Sequence, residues 1–194
     1  MKKWIIPVVI IVLLVLLGIS SYNGLVSVQA DAKTAWSNVE SSYQRRNDLI
    51  GNLVKTVQGA ADFERGTLTA VVEARAKATS ITIDPTNVTP EQMAQFQQTQ
   101  DGLAGALKSL LVTVERYPDL KANQNFLELQ SQLEGTENRI NVVRDRYNDA
   151  VNTYDKKIRS FPNVLFAGIM GFKPMERFKA AEGAEQAPDV NFSF

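Results

Sequence analysis

The sequence predicts an all-α protein in which a single N-terminal transmembrane helix precedes an elongated antiparallel bundle of three long helices plus a short C-terminal helix. Two observations favour this fold class. An uncharged apolar segment lies near the start of the chain, and three proline-free tracts carry apolar residues at helical spacing. The predicted division is a cytoplasmic N-terminal tail at 1–3, a membrane anchor at 4–24, a helical bundle at 25–178 and a C-terminal tail at 179–194.

The membrane anchor is predicted from the apolar run between Trp4 and Ile19, which contains 16 residues and is followed by no charged residue before Asp31. As a helix this run is about 24 Å long, whereas the hydrocarbon core of a bilayer is about 30 Å thick. Continuing the helix through Tyr22 supplies the missing length. Trp4 and Tyr22 then lie near the two interfaces, where aromatic rings are favoured.

A cleaved signal peptide is the competing interpretation, because Lys2 and Lys3 give the chain a basic start. The apolar run is longer than a usual signal-peptide core, and Ser20-Ser21-Tyr22 has no small-residue cleavage pattern, so we favour a retained anchor. Lysines before the span favour a cytoplasmic N-terminus. We therefore expect a single-pass protein of the cell membrane with its bundle on the exported side.

The composition excludes several classes of function. The chain has no histidine and no cysteine, which excludes Ser-His-Asp and Cys-His catalysis, thiolate or imidazole zinc sites and disulfides. Its 21 basic residues balance 21 acidic residues, so no overall positive field attracts nucleic acid. Beyond residue 30 there are 19 basic and 21 acidic residues, so we expect the apolar helix to hold the protein on the bilayer without electrostatic adhesion. We expect no cofactor.

The first tract runs from the anchor to about Ile83. Its apolar residues recur every three or four positions from Leu25 to Val71, which places them in one stripe along a helix face. Only Gly24 interrupts the segment between the apolar run and Asp31, so the anchor and the first bundle helix can share one continuous helix.

The second tract follows a proline-containing loop at 80–89. Within Thr89-Pro90-Glu91-Gln92 the threonine can cap a helix, the proline suits the first helical position and the glutamine completes a capping box. This helix is expected to end at Tyr117, because the residue before a proline disfavours the helical conformation. Gly102 and Gly105 lie inside the helical pattern, where we expect them to permit close packing.

The third tract has the most regular spacing. Its apolar residues from Phe126 to Phe161 fit a heptad frame over five repeats, with one slip at Lys157, where Ile158 takes the apolar position. Such spacing favours helices that pack nearly parallel, at about 20°. Because the loops between the three tracts are short, neighbouring helices are expected to be antiparallel.

An apolar segment follows the third tract and is too short to span a bilayer as a helix. One interpretation is a short helix that covers the end of the bundle core. The other is an exposed patch for a partner protein, for self-association or for membrane contact. The candidate patch residues are Val164, Leu165, Phe166, Ile169, Met170 and Phe172.

One ion pair is predicted inside the bundle. Arg46 falls on the apolar stripe of the first tract, and Glu137 lies beside the apolar seam of the third. A pair between them would satisfy the arginine and fix the register of the two helices. The alternative is a binding spot for an anion or a partner.

Acidic residues are the only hydrolytic groups that the composition leaves. Asp48, Glu64, Glu73 and Glu137 are candidates by type, but acid–base catalysis needs two carboxyl groups at a defined separation in a cleft. A closed helical bundle offers no obvious cleft. We therefore expect a protein without enzymatic activity and assign no catalytic, cofactor-binding or metal-binding residue.

A set of short motifs occurs in a fixed order between Tyr22 and Phe192. The motifs include Tyr22-Asn23-x-Leu25-Val26, Ala35-Trp36-Ser37-x-Val39, Asp48-Leu49-Ile50-x-Asn52-Leu53-Val54, Glu73-Ala74-Arg75, Tyr117-Pro118-Asp119-Leu120-Lys121-Ala122, Thr136-Glu137-x-Arg139-Ile140 and Phe161-Pro162. Together they resemble the LemA family of bacterial membrane-anchored helical proteins. The resemblance implies one N-terminal membrane helix and an antiparallel bundle in the bacterial cytoplasmic membrane, with no established reaction. Some relatives are tied to membrane-organelle formation.

Two positions depart from the pattern that the resemblance implies. Gly51 stands where proline is common, which leaves open whether the first helix is kinked there. Phe63 stands where histidine is common, so no metal or proton-relay role can be transferred to it.

The favoured function is a membrane-anchored helical scaffold or adaptor that contacts the bilayer through its N-terminal helix and binds a membrane protein partner. The first alternative is a membrane-attached homo-oligomer involved in membrane organisation. The second is a carboxylate-dependent hydrolase. No nucleic-acid partner is expected.

Overall fold

The computed structural model describes residues 4–59 and 63–179, and this part of the chain contains six helices and no strand. The helices are α1 (Ile5–Gln58), α2 (Arg65–Thr79), α3 (Pro90–Val114), α4 (Pro118–Lys121), α5 (Gln124–Arg159) and α6 (Asn163–Ala167). The predicted all-α fold class is confirmed. The predicted tail at 1–3 and residues 180–194 of the C-terminal tail lie outside the described residues.

Helix α1 carries the anchor and the first part of the bundle without a break. It contains 54 residues, so it is about 80 Å long, and it passes through both Gly24 and Gly51. The first predicted tract is nevertheless two helices, because α1 ends at Gln58 and α2 begins at Arg65. Glu64 has extended backbone dihedrals immediately before α2, which separates the two helices.

The start of α3 has the predicted capping box. The Thr89 hydroxyl accepts a hydrogen bond from the Gln92 N–H at 3.2 Å, and the Gln92 side chain accepts one from the Thr89 N–H at 2.9 Å. The expected role of Gly102 and Gly105 was wrong. A Cβ atom at either glycine would meet no neighbouring atom within 4 Å, because both lie on the exposed face of α3.

Side-chain contacts show that neighbouring long helices are antiparallel. In α1, Trp36 contacts Tyr147 of α5, and Arg46, ten residues later, contacts Glu137, ten residues earlier in α5. The two helices therefore run in opposite directions. Helix α2 pairs with α3 in the same way. Its start is joined to the end of α3 by an ion pair at 3.0 Å between Glu64 and Arg116, the latter lying two residues beyond that helix.

The chain after α6 forms an extended segment, residues 172–179, which we call the C-terminal strap. Side chains of α5 bind its backbone. Asn148 accepts a hydrogen bond from the Phe178 N–H at 2.9 Å and donates one to the Phe178 carbonyl at 3.1 Å. Tyr147 donates to the Glu176 carbonyl at 2.9 Å, and Tyr154 donates to the Lys173 carbonyl at 3.0 Å.

Two apolar clusters form the core. One lies in the half nearer the apolar end of α1, where α1, α5 and the C-terminal strap meet. Its centre is Trp36, whose ring stacks on Phe178 at 5.7 Å between centroids. The other cluster lies in the distal half, where α1, α2, α3 and α5 pack together around residues such as Ile50, Leu103 and Leu110.

Candidate functional site

The first part of α1 is a free apolar rod. Every residue from Ile5 to Leu17 is exposed, and the first buried residue of the helix is Gly18. The predicted anchor residues Trp4, Ile19 and Tyr22 are exposed as well. Among the described residues, α1 is one helix that is long and apolar enough to cross a membrane.

Helix α6 lies against α1 at the point where this exposed rod ends. A Cβ atom placed on Gly18 would lie 3.9 Å from the Phe166 ring and 4.0 Å from the terminal methyl of Met170, which is ordinary van der Waals contact, so α6 and the residues just after it lie next to this turn of α1. Phe172 meets Tyr22 edge-on, with 5.8 Å between ring centroids. The apolar segment after α5 is therefore packed beside the last turns of the predicted anchor.

The predicted patch is divided between a buried and an exposed face. Phe172 is buried, and Phe166 and Met170 are half-buried. Val164, Leu165 and Ile169 are exposed, with Ile169 at 88 %. The segment thus covers the end of the core with one face and leaves the other uncovered, which combines the two interpretations made from the sequence.

The exposed face extends to Phe161, which is 80 % exposed and was missed as a site residue. The heptad frame of the third tract ends at Phe161 and predicts a core position there. Its position just before a proline that ends α5 was the available signal, because a residue beyond the last helical turn no longer follows the helix stripe.

Basic residues flank this apolar segment in the chain. Lys156, Lys157 and Arg159 lie in the last turn of α5, and Lys173 lies at the start of the C-terminal strap. The Lys157 ammonium lies 3.8 Å from where a Cβ atom on Gly24 would be, which places it beside the predicted end of the anchor.

The nearest buried acid does not offset these charges. Asp155 accepts a hydrogen bond from Arg177 at 3.1 Å and one from the Met175 N–H at 3.3 Å, so it is already paired. The near-zero net charge of the whole chain therefore conceals a local cluster of positive charge at this end of the bundle.

The structure brings the predicted pair Arg46 and Glu137 together. Arg46 is 3 % exposed, and its Nη1 donates to Glu137 Oε2 at 3.0 Å. Its Nη2 donates to Gln100 Oε1 at 2.5 Å, and Gln100 Nε2 in turn donates to the Ala78 carbonyl at 3.1 Å. This chain of bonds joins α5, α1, α3 and α2. Gln100 was missed by the sequence argument, because nothing local marks a helical glutamine as buried.

Other acidic candidates do not converge. Asp48, Glu64 and Glu73 are all exposed, and Glu64 is engaged with Arg116. Within residues 4–59 and 63–179, no group of three or more Asp or Glu side chains is placed to hold a metal ion. The described residues therefore form a bundle that continues from an exposed apolar helix, with further exposed apolar and basic side chains at the same end.

Comparisons with known proteins agree with this architecture. The family model for the LemA family matches residues 35–192. Magnetosome protein MamQ 2 of Paramagnetospirillum magneticum is 28 % identical over 175 residues, which cover 81 % of this chain and 64 % of that protein. Magnetosome protein MamQ of Magnetospirillum gryphiswaldense is 28 % identical over 174 residues, covering 81 % of this chain and 64 % of its own length.

Protein LemA of Metamycoplasma hominis is 25 % identical over 160 residues, covering 82 % of this chain and 69 % of its own length. This chain thus spans less than two thirds of the length of the magnetosome relatives. The family match begins at residue 35, within α1, and includes the rest of that helix, all of α2 to α6 and the C-terminal strap. On this evidence the chain belongs to the LemA family.

Proposed function

We propose that this protein is a single-pass membrane protein whose helical bundle acts as a scaffold or adaptor and has no catalytic activity of its own. One observation carries the proposal: α1 is a single helix whose exposed apolar start continues directly into the buried bundle. A helix without a break transmits orientation, so the bundle is held at a fixed angle to the bilayer. The similarity to magnetosome proteins supports a role in membrane organisation.

The distribution of acidic groups supports a non-catalytic role. The buried acid Asp155 is hydrogen bonded to Arg177, and the half-buried Glu137 is bonded to Arg46. Acid–base catalysis needs a carboxyl group that is positioned to exchange a proton with a substrate in a cleft. Each of these two carboxylates is instead held in an ion pair with an arginine.

The proposed topology has the N-terminus in the cytoplasm and the bundle on the exported side. The basic cluster at the end of α5 does not oppose this orientation, because the positive-inside rule applies to residues near a span in sequence. The chain has no native cysteine, so single cysteines report topology cleanly. In intact cells, a membrane-impermeant maleimide should label Ser80→Cys and should not label Lys3→Cys. The reverse labelling would overturn the orientation.

Cross-linking in membranes tests the scaffold role. A cysteine at the exposed position Ser109 of α3 can carry a photoactivatable cross-linker in the full-length protein, with the exposed position Asp145 of α5 as the matched site on another face. A scaffold or adaptor should give a discrete adduct with a different membrane protein from at least one site. Adducts of twice the monomer mass would select a homo-oligomer instead. Monomer alone from both sites would contradict the proposal.

A further inference from the structure

We propose that residues 161–169, which include α6, form a second membrane contact that inserts into the headgroup–acyl boundary of the same bilayer that α1 spans. The inserting side chains are Phe161, Val164, Leu165 and Ile169, all of which are exposed. This inference rests on the proposed anchor. In this proposal the exposed residues of the predicted patch bind lipid, so the bundle contacts the bilayer at two places instead of one.

Helix length supplies the first argument. The free apolar rod from Ile5 to Leu17 contains 13 residues and is about 20 Å long, roughly 10 Å less than the hydrocarbon thickness. The span therefore has to include the next six or seven residues of α1. Those residues begin with Gly18 and include Tyr22, where α6 and Phe172 pack. A full-length span thus carries α6 into the outer 10 Å of the membrane.

The chemistry of α6 suits this depth. Interfacial helices bury their apolar face about 5–10 Å into the headgroup and acyl boundary. Backbone polar groups need partners there, and the segment supplies its own. The N–H groups of Val164, Leu165, Met170 and Phe172 donate to carbonyls within residues 160–167 at 2.9–3.1 Å.

The exposed apolar side chains are concentrated at this end of the bundle. Four of them occur within nine residues, whereas the other exposed large apolar side chains of the bundle are scattered singly along its helices. Scattered apolar residues are normal on protein surfaces, but a contiguous patch marks an interaction site. Because Phe166 and Met170 of the same segment lie beside Gly18 of α1, the patch is held next to the exposed start of α1, where it can meet the same lipid.

The charge pattern fits the same bilayer. Lys157 lies beside Gly24, which is about 30 Å along α1 from Trp4 and therefore at the headgroup level. Lys156, Arg159 and Lys173 lie close by in sequence and are exposed. Basic residues at this level attract anionic headgroups, whereas the remainder of the bundle carries the compensating negative charge.

The test uses the full-length protein reconstituted into vesicles of phosphatidylethanolamine and phosphatidylglycerol. Single cysteines at Leu165 and Ile169 carry a nitroxide spin label. The accessibility of the label is measured to oxygen, which concentrates in lipid, and to a water-soluble nickel complex. The same label at Val112, an exposed apolar residue of α3 in the distal half, is the matched control, and a label at Leu13 measures whether the apolar start of α1 lies in lipid. Circular dichroism verifies that each labelled protein keeps its helices.

The expected result is that labels at Leu165 and Ile169 have an oxygen-to-nickel accessibility ratio several-fold above that at Val112 and below that at Leu13. A ratio at Ile169 equal to that at Val112, with Leu13 in lipid, would overturn this inference and leave the anchor intact. Labels at Leu165 and Ile169 shielded from both reagents would overturn it in favour of a protein contact. A water-exposed label at Leu13 would instead remove the anchor and, with it, both proposals.

Discussion

At the scale of single residues, the two partners of the ion pair between Arg46 and Glu137 differ in burial. The arginine side chain is 3 % exposed and the glutamate side chain is 47 % exposed. If the guanidinium is removed, the carboxylate can still turn to water. If the carboxylate is removed, the guanidinium remains buried. It keeps its hydrogen bond to Gln100 and lies over the Tyr43 ring, with 5.0 Å between Cζ and the ring centroid, but its Nη1 no longer has an acidic partner.

We therefore predict that Glu137→Ala lowers the free energy of unfolding more than Arg46→Met, by about 3 kcal/mol against about 1 kcal/mol. Methionine keeps most of the arginine volume, so the second change mainly leaves Gln100 with one bond fewer. Urea denaturation of the full-length protein in detergent micelles measures both. Asp145→Ala, an exposed change on the same helix, serves as the control and should cost little. Equal costs for the two pair variants would contradict the argument.

Because two tyrosines are buried, we expect the free energy of unfolding to decrease at alkaline pH. Burial raises the pKa of Tyr147 and of Tyr154 above the ordinary value of 10.0. The folded state therefore retains protons that the unfolded state releases, so the stabilisation is complete below pH 10 and is lost as the pH rises above it.

We expect the free energy of unfolding to fall above about pH 10, and to fall less steeply in Tyr147→Phe. The same variant should lose about 1 kcal/mol at neutral pH, because the hydrogen bond to the Glu176 carbonyl is absent. Denaturation curves across the alkaline range test this. An identical slope in the wild type and the variant would show that Tyr147 is not responsible.

At the scale of elements, the C-terminal strap replaces a helix. In the core cluster around Trp36, the strap packs where α1, the first turns of α3 and α5 meet, and it inserts Phe178 among Trp36, Phe96 and Tyr147. The guanidinium of Arg144 lies over the same ring at 4.6 Å. An extended segment cannot satisfy its own backbone, which is why Asn148 and other α5 side chains bind it.

We predict that Phe178→Ala costs about 3–4 kcal/mol, because it opens a cavity among aromatic rings. Phe161→Ala is the matched control, since the same side chain is there exposed and makes no core contact. Thermal or urea unfolding in detergent distinguishes them. Similar costs at the two positions would show that the strap is not part of the folding unit.

The glycines within helices give a second prediction at this scale. Gly102→Ala should stabilise α3 by about 0.5–1 kcal/mol, because alanine has the higher helix propensity and the new methyl meets no neighbour. Gly51→Ala should gain less. Its methyl would lie 3.3 Å from the Arg75 guanidinium, which donates to the Asn47 carbonyl at 2.8 Å and must shift. A larger gain at Gly51 than at Gly102, in the same denaturation assay, would contradict this reasoning.

At the scale of the whole molecule, the two ends of α1 have different environments: its first part is exposed and apolar, and its later part belongs to the bundle core. We therefore expect substitutions in the first part to change membrane insertion without changing the stability of the bundle. Leu13 is near the middle of the apolar rod and contacts none of the bundle, whereas the bundle core begins at Leu25. A charge at residue 13 therefore affects only the transfer into lipid.

We predict that Leu13→Lys reduces the membrane-inserted fraction, because a lysine at the centre of a span costs about 3 kcal/mol, and leaves the urea midpoint in detergent unchanged. Val112→Lys, the same change on an exposed bundle position, should alter neither quantity. Resistance to alkaline extraction measures insertion. Full retention of Leu13→Lys in the membrane would contradict the proposed span.

The sequence by itself determined the fold class, the long apolar segment at the start of α1, the α3 capping box and the family. Each depends on neighbours a few residues apart, so periodicity and local hydrogen bonding are visible without a structure. The sequence also predicted the pair of Arg46 and Glu137, because Arg46 falls on the apolar stripe, where an unpaired guanidinium would be costly, and Glu137 lies beside the apolar seam of the third tract.

Only the tertiary structure decided which faces are covered. It divided the first tract at Gln58, inserted Gln100 beside Arg46 and left Phe161 and Ile169 exposed beside α1. It also placed Lys157, in the last turn of α5, beside Gly24 of α1. Burial and local charge depend on residues that are far apart in the chain, such as Arg46 and Gln100, which are 54 positions apart, and a linear pattern does not specify which of them meet.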